Sequence, residues 1–290
     1  MSVATLVLPL IAAVGIAGAV TSVHRALPPR LAARFVTVAL LLVAFAALPT
    51  LVVMALAFLA HAPLVGLGFE WCARAVGLHG AVSAWFGVPA MAVLVWGTAR
   101  TARLLRNQRR LRVGTLSPVF IASSDQPYAV TLPGRAGQIV MSTAMIELLD
   151  TRERAVVLAH EEAHARYRHD RYLLVAAIAA AALPPLRGIA RRVNYSIERW
   201  ADDAAAVVCG DRRLVACTLG KVALTSCPDG VSSFAGLGVA ARMGALLEPP
   251  VPAPARRKLA SLWAWVGVMG ALSLYQLHHV EQLLTALCPH

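Results

Sequence analysis

Four apolar runs constrain this chain before anything else about it. Val3 to Ser22, Phe35 to Ala60, Ala81 to Ala99 and Leu259 to Leu277 contain no charged residue. A helix needs about 20 predominantly apolar residues to cross a bilayer, and each run approaches or exceeds that. Pro49 is expected to kink the second run. No basic residue precedes the first, so it reads as a span and not as a cleaved signal. Composition agrees. Hydrophobic residues make up 58% of the chain and charged residues 14%, against roughly 45–50% and 25% in soluble globular domains. The expected fold class is therefore a mainly α membrane protein with four transmembrane helices.

Arginine distribution sets the expected orientation. Arg25, Arg30 and Arg34 follow the first run, Arg100 to Arg112 carries a basic block after the third, and Arg256, Arg257 and Lys258 precede the fourth. Basic residues mark cytoplasmic loops, which puts all three clusters inside and both termini outside. The division that follows is a three-span membrane region with a basic flank at 1–112, a cytoplasmic domain at 113–255, and a fourth span with a short outer tail at 256–290. The expected location is the inner (plasma) membrane, crossed several times. The net charge of +12 would otherwise suggest a nucleic-acid partner. Because the arginines sit beside apolar runs, the expected partner is the lipid bilayer and not nucleic acid. Cys209, Cys217 and Cys227 fall inside, where thiols stay reduced. Cys72 and Cys288 fall outside, where they either bridge or remain free thiols.

Within the cytoplasmic region, Val119 to Ala122 and Gln138 to Ser142 read as strands, with an extended piece in Gln126 to Leu132. Asp150 and Glu153 form a capping-box pattern that opens a helix expected to run to about Tyr172. Tyr172 to Leu186 is apolar but short, flanked by Arg171 and Arg187, and reads as a buried or membrane-grazing helix. Arg191 to Val208, Arg212 to Thr225 and Val239 to Leu247 follow as helices, and a proline-rich linker leads into the last run.

His160-Glu161-Glu162-Ala163-His164 carries the chemistry. Residues four apart share a helix face, so two imidazoles can reach one ion. Glu161 lies beside them as the catalytic general base. A zinc hydrolase needs three protein ligands and an open position. Glu198, in Glu198-Arg199-Trp200-Ala201-Asp202, supplies the third. Asp202, one turn on, would accept a hydrogen bond from a ligand histidine and fix its tautomer. Exchanged roles for Glu198 and Asp202 remain the alternative. His169 lies on the far side of an unbroken helix from His164, and Glu162 points away from the ion.

These segments, with Arg168-His169-Asp170 and Arg242 to Pro249, resemble the membrane gluzincins, above all the BlaR/MecR-type sensor-transducer peptidases, with HtpX-like and prenyl-protein (CAAX) proteases as relatives. The resemblance implies a small α+β zincin-like catalytic domain between the third and fourth spans, one zinc per chain, and hydrolysis of a protein or peptide substrate, a transcriptional repressor being one candidate. That group carries an outer penicillin-binding domain after the last span. Here a short tail without a Ser-x-x-Lys nucleophile is expected to leave that sensor out.

The strand at Gln138 to Ser142 is expected to offer its free edge to an extended substrate. Arg242 is either a contact for the developing oxyanion and substrate or an ordinary ion-pair partner. The competing function is a non-catalytic zinc-binding membrane scaffold or sensor. An intact ligand set together with Glu161 favours the enzyme. The residues leave the substrate's identity and any homo-oligomer open.

Overall fold

The computed structural model describes residues 24–60, 83–110, 119–133, 137–226 and 233–252, with scattered helical positions from 15 to 19 and further positions from 254 to 278. Cys72, Cys288 and nearly all of the first apolar run lie outside the described residues.

A short 3₁₀ turn at His24–Ala26 leads into α1 (Pro29–Ala60), followed by α2 (Ala84–Arg110). Pro29 suits the first turn of α1, where a missing N–H costs nothing. One stripe of α1, with Ala32, Val36, Ala39, Leu40 and Val43, is buried at helical spacing. Then come β1 (Val119–Ala122), β2 (Ala129–Thr131) and β3 (Ile139–Ser142), α3 (Thr143–Leu148), α4 (Thr151–Arg166) and α5 (His169–Ala182). A second 3₁₀ turn at Pro184–Leu186 precedes α6 (Arg187–Cys209), α7 (Arg212–Ser226) and α8 (Ser233–Leu247). The described positions between 257 and 278 are helical.

The sheet has the order β1-β3-β2, with β1 parallel and β2 antiparallel to β3. This corrects the expected free edge at Gln138 to Ser142. Both sides of β3 are paired, Val140 standing between Phe120 and Val130, so the outer strands are β1 and β2. Gly137 closes the turn into β3 at φ +59°, and a Cβ there would overlap Ala165 of α4. A side chain at this position would therefore push the β2–β3 ladder away from α4.

The predicted capping box is present: Asp150 Oδ1 accepts from the Glu153 N–H at 2.8 Å, and Glu153 Oε2 accepts from the Asp150 N–H at 2.9 Å. The helix it opens does not reach Tyr172. It stops at Arg166, and Arg168 adopts the left-handed conformation, φ 55° and ψ 46°, before α5 begins at His169. Asp170 holds Arg168 there through two contacts of 3.2 Å.

The main core lies between α1 and the α5–α6 hairpin, where Val36, Ala39, Leu40, Val193 and Ile197 are fully buried. The segment from Tyr172 to Leu186 is mostly helical, with Ala176, Ala179, Ala181, Leu183 and Leu186 buried and most of the rest half-buried. Gly97 of α2 meets the backbone of Ala182 at the end of α5, an approach that any Cβ would block. A second core of small residues, Ala159, Ala205 and Ala206 with Val156, Val215 and Leu246, joins α4, α6 and α7.

Among the described residues, one helix segment is long and apolar enough to cross a membrane, Pro29–Leu56 near the N-terminus. The four expected spans are therefore met at one place. The third run begins its helix only at Ala84 and continues directly into Arg100, Arg103 and Arg106, which dilutes its apolar stretch.

Candidate metal centre

The small residues between α4 and α6 bring two polar helix faces together. From α4 come His160, Glu161 and His164, and from α6 Glu198 and Asp202. His160 Nε2 and His164 Nε2 lie 3.1 Å apart. Glu198 Oε2 is 3.6 Å from the first nitrogen, and Oε1 is 3.6 Å from the second. One ligand atom from each of these three residues falls within 4.8 Å of the others.

This donor set fits a divalent ion. Two imidazole nitrogens that converge this closely beside a carboxylate share either a proton or a metal cation. Zinc–nitrogen bonds of about 2.0–2.1 Å in a tetrahedral site imply a nitrogen separation only slightly larger than the one observed. His160, His164 and Glu198 would hold the ion.

Each of the three has a partner behind it. His160 Nδ1–H donates to Asp202 Oδ1 at 3.1 Å. Arg242 of α8 grips Asp202 through Nε at 2.8 Å and Nη2 at 2.7 Å, and reaches Glu198 Oε2 through Nη1 at 3.0 Å. Glu198 faces both Nε2 atoms, and Asp202 lies behind His160. Three guanidinium nitrogens of Arg242 are engaged by the two carboxylates, which is the ion-pair alternative and not a group held free for an oxyanion.

Two residues that sequence reasoning passed over also belong here. Thr131, on β2, sets its hydroxyl 2.7 Å from Glu161 Oε2 and 2.8 Å from the Glu161 carbonyl oxygen, which share its one proton. Its place on the extended piece beside the motif was the only signal. His169, set aside because of its spacing, lies with Nδ1 3.1 Å from His164 Nδ1. Glu162 is exposed, as expected.

Electrostatics follow from burial and pairing. Burial pushes His160 down, but Asp202 and Glu198 outweigh it and hold its pKa up at about 10. Burial would raise Glu198, yet His160 and Arg242 bring it down to about 2. Asp202 is likewise lowered, with Arg242 and His160 overcoming burial. His164 is lowered by burial and by the charge on His160. His169 is pushed down to about 3 by burial and then by His164.

Cavities open on both sides of these groups. One of about 1010 Å³ runs from Val130 and Thr131 past His164 to Leu173, Ala177 and Arg191. The other, about 700 Å³, reaches from Tyr128 and Glu161 to Val156, Leu219 and Val222. The outer side of β2 lies along this double groove.

Residues 115–196 match the model of Peptidase family M48, a zinc metallopeptidase family. The match contains the His160–His164 motif and ends two residues short of Glu198. The chain is also 35% identical over 124 residues to the plastoglobule-localized metallopeptidase 48, chloroplastic, of Arabidopsis thaliana. That alignment covers 38% of this chain and 36% of the relative, about a third of the relative's length. No solved structure matches the chain. His160 and His164 of the cluster lie within the stretch that matches the model of Peptidase family M48, Glu198 lies just beyond it, and the chain is similar to metallopeptidases through that stretch.

Proposed function

We propose that this chain is a membrane-embedded zinc endopeptidase of the gluzincin type, acting on a cytoplasmic or membrane protein. The observation that carries the reading is the convergence of His160 Nε2, His164 Nε2 and Glu198 beside Glu161. When bound, zinc supplies Lewis acidity that acidifies water and polarises a carbonyl. Glu161 moves the proton. Thr131 occupies Oε2, leaving Oε1 to accept a proton from the attacking water and pass it to the leaving amine. Asp202 and Arg242 keep His160 and Glu198 oriented, so the ligand set does not have to rearrange during turnover.

An extended substrate would add to the sheet at the outer side of β2, not at β3, whose two sides are taken. Main-chain hydrogen bonds to Ala129–Thr131 would align the scissile peptide across the double groove.

Membrane embedding is supported by Pro29–Leu56 and by large apolar side chains left exposed on α1 and α2, among them Leu41, Phe45, Trp85 and Phe86. Trp96 lies between Arg100, at 4.6 Å, and Arg187, at 5.5 Å. Aromatic and basic groups at one level are characteristic of a cytoplasmic membrane boundary. With the arginine clusters, this supports a metal centre that faces the cytoplasm. Four spans in the plasma membrane with both termini outside, and the division at 1–112, 113–255 and 256–290, rest on the sequence pattern; among the described residues, Pro29–Leu56 is the one helix segment of spanning length. A repressor substrate rests on the resemblance to sensor-transducer peptidases alone.

The test uses the full chain in detergent. Wild type should hold about one zinc and cleave casein in a chelator-sensitive manner. His160→Ala, His164→Ala and Glu198→Ala should each lose most of the metal. Zinc retained by the Glu198 variant would move the third ligand to another group. Zinc-loaded wild type that cleaves nothing, including its own chain, would favour the non-catalytic scaffold.

A further inference from the structure

The metal centre has a carboxylate behind one histidine and another imidazole behind the other. We propose that His169 is the positioning residue for His164, fixing its tautomer and ring angle by accepting the Nδ1–H hydrogen bond. This inference rests on the reading of His164 as a metal ligand through Nε2.

His164 Nε2 faces His160 Nε2 at 3.1 Å and Glu198 at 3.6 Å, so its lone pair is required there. A neutral imidazole with a lone pair at Nε2 carries its proton at Nδ1. That Nδ1–H meets His169 Nδ1 at 3.1 Å. Were His169 the donor, the proton of His164 would move to Nε2 and the ligand lone pair would be lost. The metal-competent arrangement therefore requires His169 to be neutral and protonated at Nε2. His169 is fully buried, and its Nε2 has no hydrogen-bond partner among the described residues. The ring is held by aromatic contact alone: Trp200 at a centroid distance of 4.7 Å and Tyr167 stacked at 6.0 Å, with those two rings themselves stacked at 4.8 Å.

The backbone turns His169 to its partner at a cost. Five residues along an unbroken α-helix would place it about 140° around the axis from His164. The left-handed Arg168 ends α4 and restarts the chain as α5, which brings the ring back onto His164. A non-glycine residue in this conformation is strained, and Arg168 is the one non-glycine residue with positive φ among those described. The same turn redirects α5 onto α1 and α6, where Ala176 and Ala179 are buried, and in doing so it sets one hydrogen-bonding atom of His169 against one ligand.

The experiment compares zinc affinity, by competition with a chromophoric chelator, in the full chain and three variants. Asparagine reaches the position of a histidine Nδ1 with an amide oxygen. Glutamine places its polar group near Nε2, and leucine provides none. His169→Asn should stay within about threefold of wild type. His169→Leu and His169→Gln should weaken zinc by about 10–100-fold, the usual loss when a ligand's outer partner is removed, with the melting of metal-free protein tracking wild type. Should His169→Leu fail to fold, the comparison of the two polar variants decides. Equal zinc affinity in asparagine and glutamine variants, or wild-type affinity in the leucine variant, overturns the proposal. Wild type that binds no zinc would instead overturn the metal reading beneath it.

Discussion

Arg242 and Asp202, forty residues apart in the chain, form a two-bonded pair at 2.8 and 2.7 Å, and the same guanidinium reaches Glu198. A single cation thus orients both of the carboxylates that α6 brings to the metal centre. Arg242→Ala leaves buried Asp202 and half-buried Glu198 with only His160 as a counter-charge, and the expected loss is up to about 3–5 kcal/mol of stability together with most of the zinc. Arg242→Lys keeps the charge but not the planar fork and should fall between. Thermal melts and metal content measure both. Unchanged stability and zinc with reduced turnover would instead identify Arg242 as a substrate contact.

Glu161→Gln should retain zinc and fold while activity drops by about 10²–10⁴-fold. Thr131→Val removes the hydroxyl that fixes one carboxylate oxygen of Glu161. Its expected effect is a fall of about tenfold in kcat with zinc content unchanged. Peptidase turnover beside metal analysis separates these outcomes, and a glutamine variant with wild-type turnover would remove Glu161 from the chemistry.

Stability of the metal-free protein should peak near the ordinary histidine pKa. His160 is raised from 6.5 to about 10, so the folded state holds its proton more tightly than the unfolded chain. That contribution is complete below about pH 6.5 and is lost as pH rises toward 10. His169 is lowered from 6.5 to about 3, and His164 is lowered as well. The folded state refuses protons that the unfolded chain accepts, so stability falls as pH drops below 6.5. Glu198, lowered from 4.5 to about 2, adds to the loss at the acid end. Melting of chelator-treated protein across this range checks the shape. A melting temperature that climbs steadily above pH 6.5 would contradict the His160–Asp202 pairing. Zinc affinity should rise with pH over the same interval, because metal must displace the His160 proton.

A reporter fused after Arg112 should read as cytoplasmic, and one fused at His290 as outside, if the arginine clusters set orientation. A cytoplasmic reading at His290 would mean that the last apolar run does not insert.

What was legible in the sequence was the chemistry carried by helical period. His160 with His164, and Glu198 with Asp202, sit one turn apart, and helical period puts each pair on a shared face. Asp150 with Glu153 announced its helix start by the same local logic. What was hidden depended on backbone choices without a residue signature. Arg168 is an ordinary helix former, and only tertiary contacts put it in the left-handed region, so His169 was read on the wrong side. The exposed side of the sheet was misassigned because the parallel pairing of β1 with β3 spans a loop, and no pattern within either strand specifies which one lies in the middle.

Helix α6 presses Val193 and Ile197 into α1 and, from the next residue and the turn after it, presents Glu198 and Asp202 to the metal centre. Anchor and catalyst therefore share a beam. Cutting the chain after Arg112 to obtain a freestanding peptidase would strip the partner from side chains worth about 1.5–3 kcal/mol each when buried. The fragment should aggregate or bind zinc poorly, whereas a version that keeps α1 should do neither.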